Sequence, residues 1–532
     1  MNSQLIAVLE RPSSPDEYGR ICRSLDDVAL SLGKDPNLRR HLGTSSPSIW
    51  PALGKMWGDT AATVEKEEEE TGEAALVTSL ARVTRNLVAG IAHNQEHAFA
   101  FEPFVSRLIR VYTSWTRESE ESSRIALRML TQLLSNVVTV NDGLQTRLIQ
   151  RYLIEEEERS LLIRLAESHD AKTILALLVL LLNCIRQSRT RAEILVKSIT
   201  GNRLCIALLD KVEDNLDEDP AQSGGQVFEL GYALFTSLFE HGLFGQLYSG
   251  ISIQDEPISP PQTTLLKLLD SYLQARIGAE PELYDAATTE ALVSTFDVLS
   301  SFVQKAIAHA VPGHASPPPT ADSASASAVA DTLLENDAEM ELNTPGAAAG
   351  LRSLDLQLPP ACAALVLVAQ CLHALLLAES EAAQPTDRSK NVVLKSPPDV
   401  IESLLDTLRQ LDIFLPRIAF GKVTPSPAAP PSAGAGDPSR ADAHGFAYVK
   451  RDLVRLLGTL VHGSRSAQDR VRTAKGIEVI LNLCVVDERN PYLREHAIFA
   501  LRNLLHENKE NQAVVEELKP VGTWDGSAAF EG

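Results

Sequence analysis

His93-Asn94-Gln95-Glu96-His97 is the stretch whose residue types and spacing come nearest to catalytic chemistry. It matches the His-x-x-Glu-His spelling of a zinc-peptidase class, in which two imidazoles on one helical face hold the metal and the carboxylate acts as base. Three observations oppose that chemistry. Asn94-Gln95 belongs to a pattern that recurs along the chain, which predicts an inter-helix turn here; no third ligand stands out downstream; and five-residue spellings arise by chance. No Gly-rich phosphate loop, Gly-x-Ser-x-Gly or paired zinc cluster occurs, and Cys22, Cys184, Cys205, Cys362, Cys371 and Cys484 form no Cys-x-x-Cys pair. The expectation is a non-enzymatic chain with no cofactor and no metal, its thiols free and mostly buried in a reducing compartment.

The residues that do recur are amides. Arg85-Asn86-Leu87 is followed after six residues by Asn94-Gln95, and Arg502-Asn503-Leu504 after six by Asn511-Gln512. Weaker copies are Ser135-Asn136-Val137 with Leu144-Gln145, Leu182-Asn183-Cys184, Thr236-Ser237-Leu238 with Gly245-Gln246, and Gly458-Thr459-Leu460 with Ala467-Gln468. In stacked three-helix units, Asn86, Asn136, Asn183 and Asn503 would hold one place in successive third helices, facing a concave groove. An amide there can donate to and accept from an extended peptide backbone, or tie its own helix to a neighbour. Nuclear-import carriers place a tryptophan one turn before such an asparagine; here those positions are Arg82, Gln132, Val179 and Phe499.

The elements that position these amides are most legible from Gly445 to Pro520. A helix from Phe446 to about His462 carries Leu453, Leu456, Leu457 and Leu460 at spacings of three and four; a short helix starts near Ala467, another runs Ile477–Val486, and after the Asp487–Pro491 turn a third presents Leu493, Ala497, Leu501 and Leu504. The two pattern copies in this stretch start 44 residues apart, inside the roughly 40–47 residues of armadillo and HEAT units. Such a unit cannot bury its apolar face alone and must stack on copies of itself.

This segment resembles the C-terminal domain of the ataxin-10 family. The RDLVRLLGTL helix, the Gln468 start, GIEVILNLCVVD, the NPYLRE turn and the ALRNLL and NKENQ close stand in the family's order, with His496 in place of a tryptophan after the Arg-Glu pair. The resemblance covers about 75 residues directly. It implies an all-α, armadillo-like right-handed α-solenoid and a cytoplasmic scaffold that binds other proteins, with a role in cytokinesis. A regulator or exchange factor of a GTPase or G-protein subunit, and a nuclear transport adaptor dependent on Asn86 and Asn136, are the competing functions.

Composition agrees with helical repeats: 532 residues, 44% hydrophobic but 5% aromatic. A formal charge of -21 disfavours nucleic acid and anionic membranes and favours basic or amphipathic protein partners. Thr173–Cys184 is only about a dozen residues, and Ala361–Ala378 carries Gln370 and His373 among many alanines, so both predict buried helices and no membrane insertion is expected.

In chain order we expect an N-terminal helical and loop segment over 1–72, with a helix at Ile21–Leu32, a loop at Gly43–Gly58 and a solvated acidic run at Glu65–Glu70. Repeats follow over 73–310, opened by the stripe Leu76, Leu80, Val83, Leu87 and Ile91. A disordered linker spans 311–350, a helical pair 351–420, a flexible Pro/Ala-rich insertion 421–443, the C-terminal repeats 444–520 and a tail 521–532. Ser316, Thr344, Ser396, Thr424 and Ser426 each precede a proline in or beside the linkers, as proline-directed kinases require, and a phosphate there would add negative charge.

Overall fold

The computed structural model describes residues 2–10, 17–66, 72–154, 161–277, 286–310, 355–381, 388–395, 399–419, 422–424, 446 and 448–518. Among them the chain is an armadillo-like α-solenoid of twenty-five helices in two compact units, 1–291 and 292–532, with one short hairpin.

The first unit opens with α1 (Asn2–Leu9) and then repeats a triplet of one long helix, one short and a third of variable length. The triplets are α2 (Tyr18–Lys34), α3 (Pro36–Gly43) and α4 (Trp50–Val64); α5 (Glu73–Val88), α6 (Ala92–Phe99) and α7 (Glu102–Tyr112); α8 (Glu121–Val138), α9 (Asp142–Leu153) and α10 (Leu161–Ala166); α11 (Ala171–Ile185), α12 (Arg189–Lys197) and α13 (Ile199–Asp214); and α14 (Ser223–Glu240), α15 (Phe244–Gly250) and α16 (Pro260–Gln274). The division between the units falls inside α17 (Ala286–Ala310). Long helices stack on long helices, α2 to α5 to α8 to α11 to α14, and the third members stack likewise, α4 to α7 to α10 to α13 to α16. Each interface is filled by the predicted stripes: Leu76, Leu80, Val83 and Leu87 of α5 are all buried.

The repeats therefore begin at α2, not at residue 73. Gly43–Gly58, expected as a loop, holds most of a helix: Pro51 stands in the first turn of α4, where a missing N–H costs nothing. Its Trp50, Leu53, Met56 and Trp57 are buried, with Trp57 Nε1 donating to Thr84 Oγ1 at 3.3 Å. Of the acidic run, Glu65 is paired with Arg107 and 67–70 lie outside the described residues.

The second unit contains α18 (Leu358–Glu381), α19 (Arg388–Lys395) and α20 (Val400–Phe414); α21 (Val449–Val461), α22 (Arg465–Thr473) and α23 (Gly476–Leu483); and α24 (Leu493–Leu505) with α25 (Lys509–Glu517). Here α18, α21 and α24 are the stacked long helices. Three helices stand where a pair was expected over 351–420, since Glu379 receives the backbone N–H and hydroxyl of Ser389 and so caps α19. A hairpin of β1 (Arg417–Ala419) and β2 (Lys422–Thr424) overlaps the expected insertion and is tied down by Glu488 N–H donating to Ile418 O at 2.8 Å. Beneath it Lys450, fully buried, donates to Leu415 O at 2.7 Å and Asp412 Oδ1 at 3.2 Å. The expected linker 311–350, the rest of the insertion and the tail 521–532 lie outside the described residues.

By length and composition alone, α17 and α18 would suffice to cross a membrane. In α18 the apolar residues Cys362, Leu365, Ala369 and Leu372 are buried within the unit, which packs α18 against α19 and α21.

Candidate protein-binding surface

The six-residue gap of the amide pattern has a direct structural cause. The last carbonyls of a helix have no intrahelical donor. Here an amide in the first turn of the next helix supplies one: Asn94 Nδ2 to Leu87 O at 2.8 Å, Gln145 Nε2 to Val138 O at 3.0 Å, Gln468 Nε2 to Val461 O at 3.4 Å and Asn511 Nδ2 to Leu504 O at 2.8 Å, each reaching back seven residues. Arg191 plays the same part toward Cys184 O. Several of these groups also reach the neighbouring repeat, as Gln468 does to Asn503 O at 2.9 Å.

Asn94 and Gln95 lie within the continuous helix α6, so the expectation of an inter-helix turn at 93–97 is corrected. The helix does put His93 and His97 on one face, with ring centroids 4.7 Å apart, but His97 is stacked on Trp50 at 5.0 Å and Glu96 faces Arg147 at 3.7 Å. No group of three or more His, Cys, Asp or Glu able to hold a metal occurs among the described residues.

The four asparagines sit on the stacked long helices, and each donates to the preceding one. Asn86 Nδ2 reaches Ala29 O at 2.8 Å, Asn136 Nδ2 reaches Arg85 O at 3.2 Å, and Asn183 Nδ2 reaches Ser135 Oγ at 3.0 Å and Thr139 Oγ1 at 3.1 Å. In the second unit, Asn503 Nδ2 reaches Gly458 O at 3.0 Å. Asn86, Asn136 and Asn183 are half-buried and form a row on α5, α8 and α11, while Asn503 is buried on α24. Asn86 Oδ1 is also used, accepting from Nε and Nη2 of Arg85. Beside the row lie the half-exposed Arg82, Gln132 and the exposed Val179.

Sequence reasoning fixed on asparagine and so missed a rung. Thr459, which the 44-residue offset places opposite Asn503, bonds His373 Nδ1 of α18 through its hydroxyl at 2.8 Å. Burial, and after it the charge of Arg455, push His373 down to about 4 and hold His496 below its usual range. Of the Ser-Pro and Thr-Pro positions, Ser316, Thr344, Ser396 and Ser426 lie outside the described residues; Thr424 ends β2, its backbone opposite Arg417.

Residues 449–530 match the family model described as the spinocerebellar ataxia type 10 protein domain. Curated relatives include an ataxin-10 homolog of Dictyostelium discoideum, 48% identical over 73 residues, which are 14% of this chain and 12% of the relative. Ataxin-10 of Bos taurus is 32% identical over 130 residues, 24% of this chain and 26% of the relative, and that of Homo sapiens 36% over 85 residues, 16% and 17%. The chain thus spans about a quarter or less of the length of these relatives. Among solved structures, a SYS-1/POP-1 complex covers 96% of this chain and 94% of its own at 10% identity and TM-score 0.35. A structure from a study of a phosphorylation switch in the interaction between cadherin and β-catenin covers 96% and 99% at 11% identity and TM-score 0.31.

Proposed function

We propose, taking the chain as a member of the ataxin-10 family through its residues 449–530, that it is a non-enzymatic cytoplasmic scaffold whose stacked long helices form a groove for other proteins, in the service of cytokinesis. The observation that carries this reading is the row on α5, α8 and α11: polar side chains at repeat spacing, with exposed Val179 one turn before Asn183 and exposed Ile125 further along α8, on helices stacked from successive repeats of the first unit. A repeated surface of this kind suits a long, shallow contact with a protein segment better than the enclosed pocket of a small-molecule site. Asn86, Asn136, Asn183 and Asn503 are the groove positions in this reading, their amides bracing the helices that present it. Ser316, Thr344, Ser396, Thr424 and Ser426 are the positions where phosphate would alter the surface charge. The -21 charge argues for protein rather than nucleic-acid or membrane partners.

Affinity capture with the full chain, and with 311–350 and 421–443 deleted, followed by direct binding of each captured protein in purified form, tests the scaffold. Val179→Glu, an exposed change, abolishes binding without lowering the melting temperature if the groove is used. A partner that binds Val179→Glu as tightly as the parent chain refutes the groove. Regulation of a GTPase or G-protein subunit, the competing function, would accelerate nucleotide release; a scaffold leaves that rate unchanged.

A further inference from the structure

Tyr448 and Tyr492, 44 residues apart, stand at the N-terminal caps of α21 and α24, both in the left-handed backbone region at φ 66° and 65°. Ahead of α5 the same conformation is taken by Gly72, which has no side chain to strain. A bulky residue in this region is a genuine outlier, and such outliers concentrate at binding and switch sites. Burial does not offset it here, because the two tyrosines are 41% and 70% exposed.

Their side chains border a row of charged and aromatic groups. The Arg451 guanidinium lies 4.1 Å over the Tyr448 ring and is paired with the buried Asp452 at 2.7 Å. One turn on, the guanidinium of half-buried Arg455 has no ion pair and donates no hydrogen bond among the described residues. One repeat on from Arg455 is Phe499, 51% exposed, its ring running beside Gly458, where a Cβ would lie 3.7 Å from Cδ1. His373 and His496 are held neutral at pH 7 by burial and by Arg455, so they neither share nor cancel its charge. The setting also differs from the rest of the chain. Residues 449–518 hold eleven Lys and Arg against ten Asp and Glu, so the -21 is carried elsewhere.

We propose that this face of α21 and α24 binds an extended acidic segment of a partner protein, one carboxylate taken by Arg455 and a nearby apolar side chain laid on Phe499, two helical turns along from Tyr448 and Tyr492. Stacked helices lie about 8–10 Å apart and extended chain advances about 3.3 Å per residue, so side chains two to three residues apart reach adjacent helices. The proposal rests on the groove reading and narrows it to a partner chemistry opposite to the one the overall charge favours.

The test is fluorescence anisotropy of the full chain with labelled Glu-Leu, Gln-Leu and Lys-Leu peptides, four repeats each of Glu-Ser-Leu-Ser, Gln-Ser-Leu-Ser or Lys-Ser-Leu-Ser, in which the charged or amide side chain and the leucine lie two residues apart on one face of an extended chain. The Glu-Leu peptide is expected to bind at least about tenfold more tightly than Gln-Leu and to weaken as salt rises. Arg455→Gln should remove that preference, Arg455→Lys should restore part of it, and Phe499→Ala should weaken Glu-Leu and Gln-Leu alike. Equal binding of Glu-Leu to the parent chain and to Arg455→Gln overturns the proposal. So does preference for Lys-Leu; if that binding is lost in Val179→Glu, the groove itself survives while this assignment fails. Binding of none of the peptides, with the chain self-associating as its concentration rises, overturns it in favour of a second copy as the occupant.

Discussion

At the scale of single residues, burial decides what a repeated amide contributes. Asn503 is 7% exposed, so Asn503→Ala leaves the Gly458 carbonyl without its donor where water cannot replace it, a loss of about 1–3 kcal/mol. Half-buried Asn183 bonds the hydroxyls of Ser135 and Thr139, and half-buried Thr139 keeps its own bond to Ser135 O without it, so Asn183→Ala should cost less, about 1 kcal/mol or below. Chemical denaturation of the two variants checks the order. His373 gives a pH dependence. Because burial and Arg455 lower its pKa from 6.5 to about 4, the unfolded chain binds a proton that the folded chain does not between those values. Stability is therefore full above pH 6.5 and is lost as pH falls toward 4, by about 3 kcal/mol; His496 acts in the same direction. Melting temperatures from pH 7 to 4.5 should show the decline, and His373→Gln should flatten it. The positions of the asparagines were legible in the sequence because the pattern they belong to rests on a local geometric constraint, the six-residue gap to the next helix's amide. The rungs to Ala29, Arg85 and Gly458 were not, since their acceptors are backbone carbonyls that any residue provides.

At the scale of elements, the turns that end α5, α8, α21 and α24 each hold one left-handed residue. These are Gly90, Val140, Gly463 and Glu507, at φ 72°, 56°, 61° and 53°. Val140 is β-branched and 93% exposed, so nothing compensates the crowding of its Cβ. Val140→Gly should raise stability by about 1 kcal/mol and Gly90→Val should lower it by a similar amount; calorimetry that finds both changes neutral would show the turn to be adaptable. Elements were misread where glycine and proline have packing roles. Gly43–Gly58 has the composition of a loop, yet Gly54 and Gly58 lie where α4 meets Phe101 and Phe104, and a Cβ at Gly54 would come within 3.1 Å of the Phe101 ring. Pro51 begins that helix rather than breaking it. The β1–β2 hairpin escaped notice because three-residue strands have no periodicity to detect.

At the scale of the whole chain, stacked repeats contact chiefly their neighbours, so damage stays local. Leu504 is fully buried on α24, and Leu504→Ala should cost about 2–5 kcal/mol. Hydrogen exchange should rise through α21–α25 and stay unchanged in α2–α14; uniform deprotection would mean that the chain unfolds as one cooperative body. The fold class was readable along most of the chain from apolar stripes and the amide pattern. The match to the family model lies in residues 449–530, where the motif order RDLVRLLGTL, GIEVILNLCVVD, NPYLRE and NKENQ is written in consecutive residues.

The capping of one helix by an amide from the next sets a limit on where this protein can be cut. The final long helix, α24, gets its closing donors from α25: Asn511 serves Leu504 O and Gln512 Nε2 serves Leu505 O, both at 2.8 Å. A fragment ended just before Lys509 would keep every apolar side chain of α24 yet leave those carbonyls bare. Shortened versions made for crystallisation or binding work should therefore retain the last short helix, and one that omits it is expected to fray from its new terminus inward, toward Phe499.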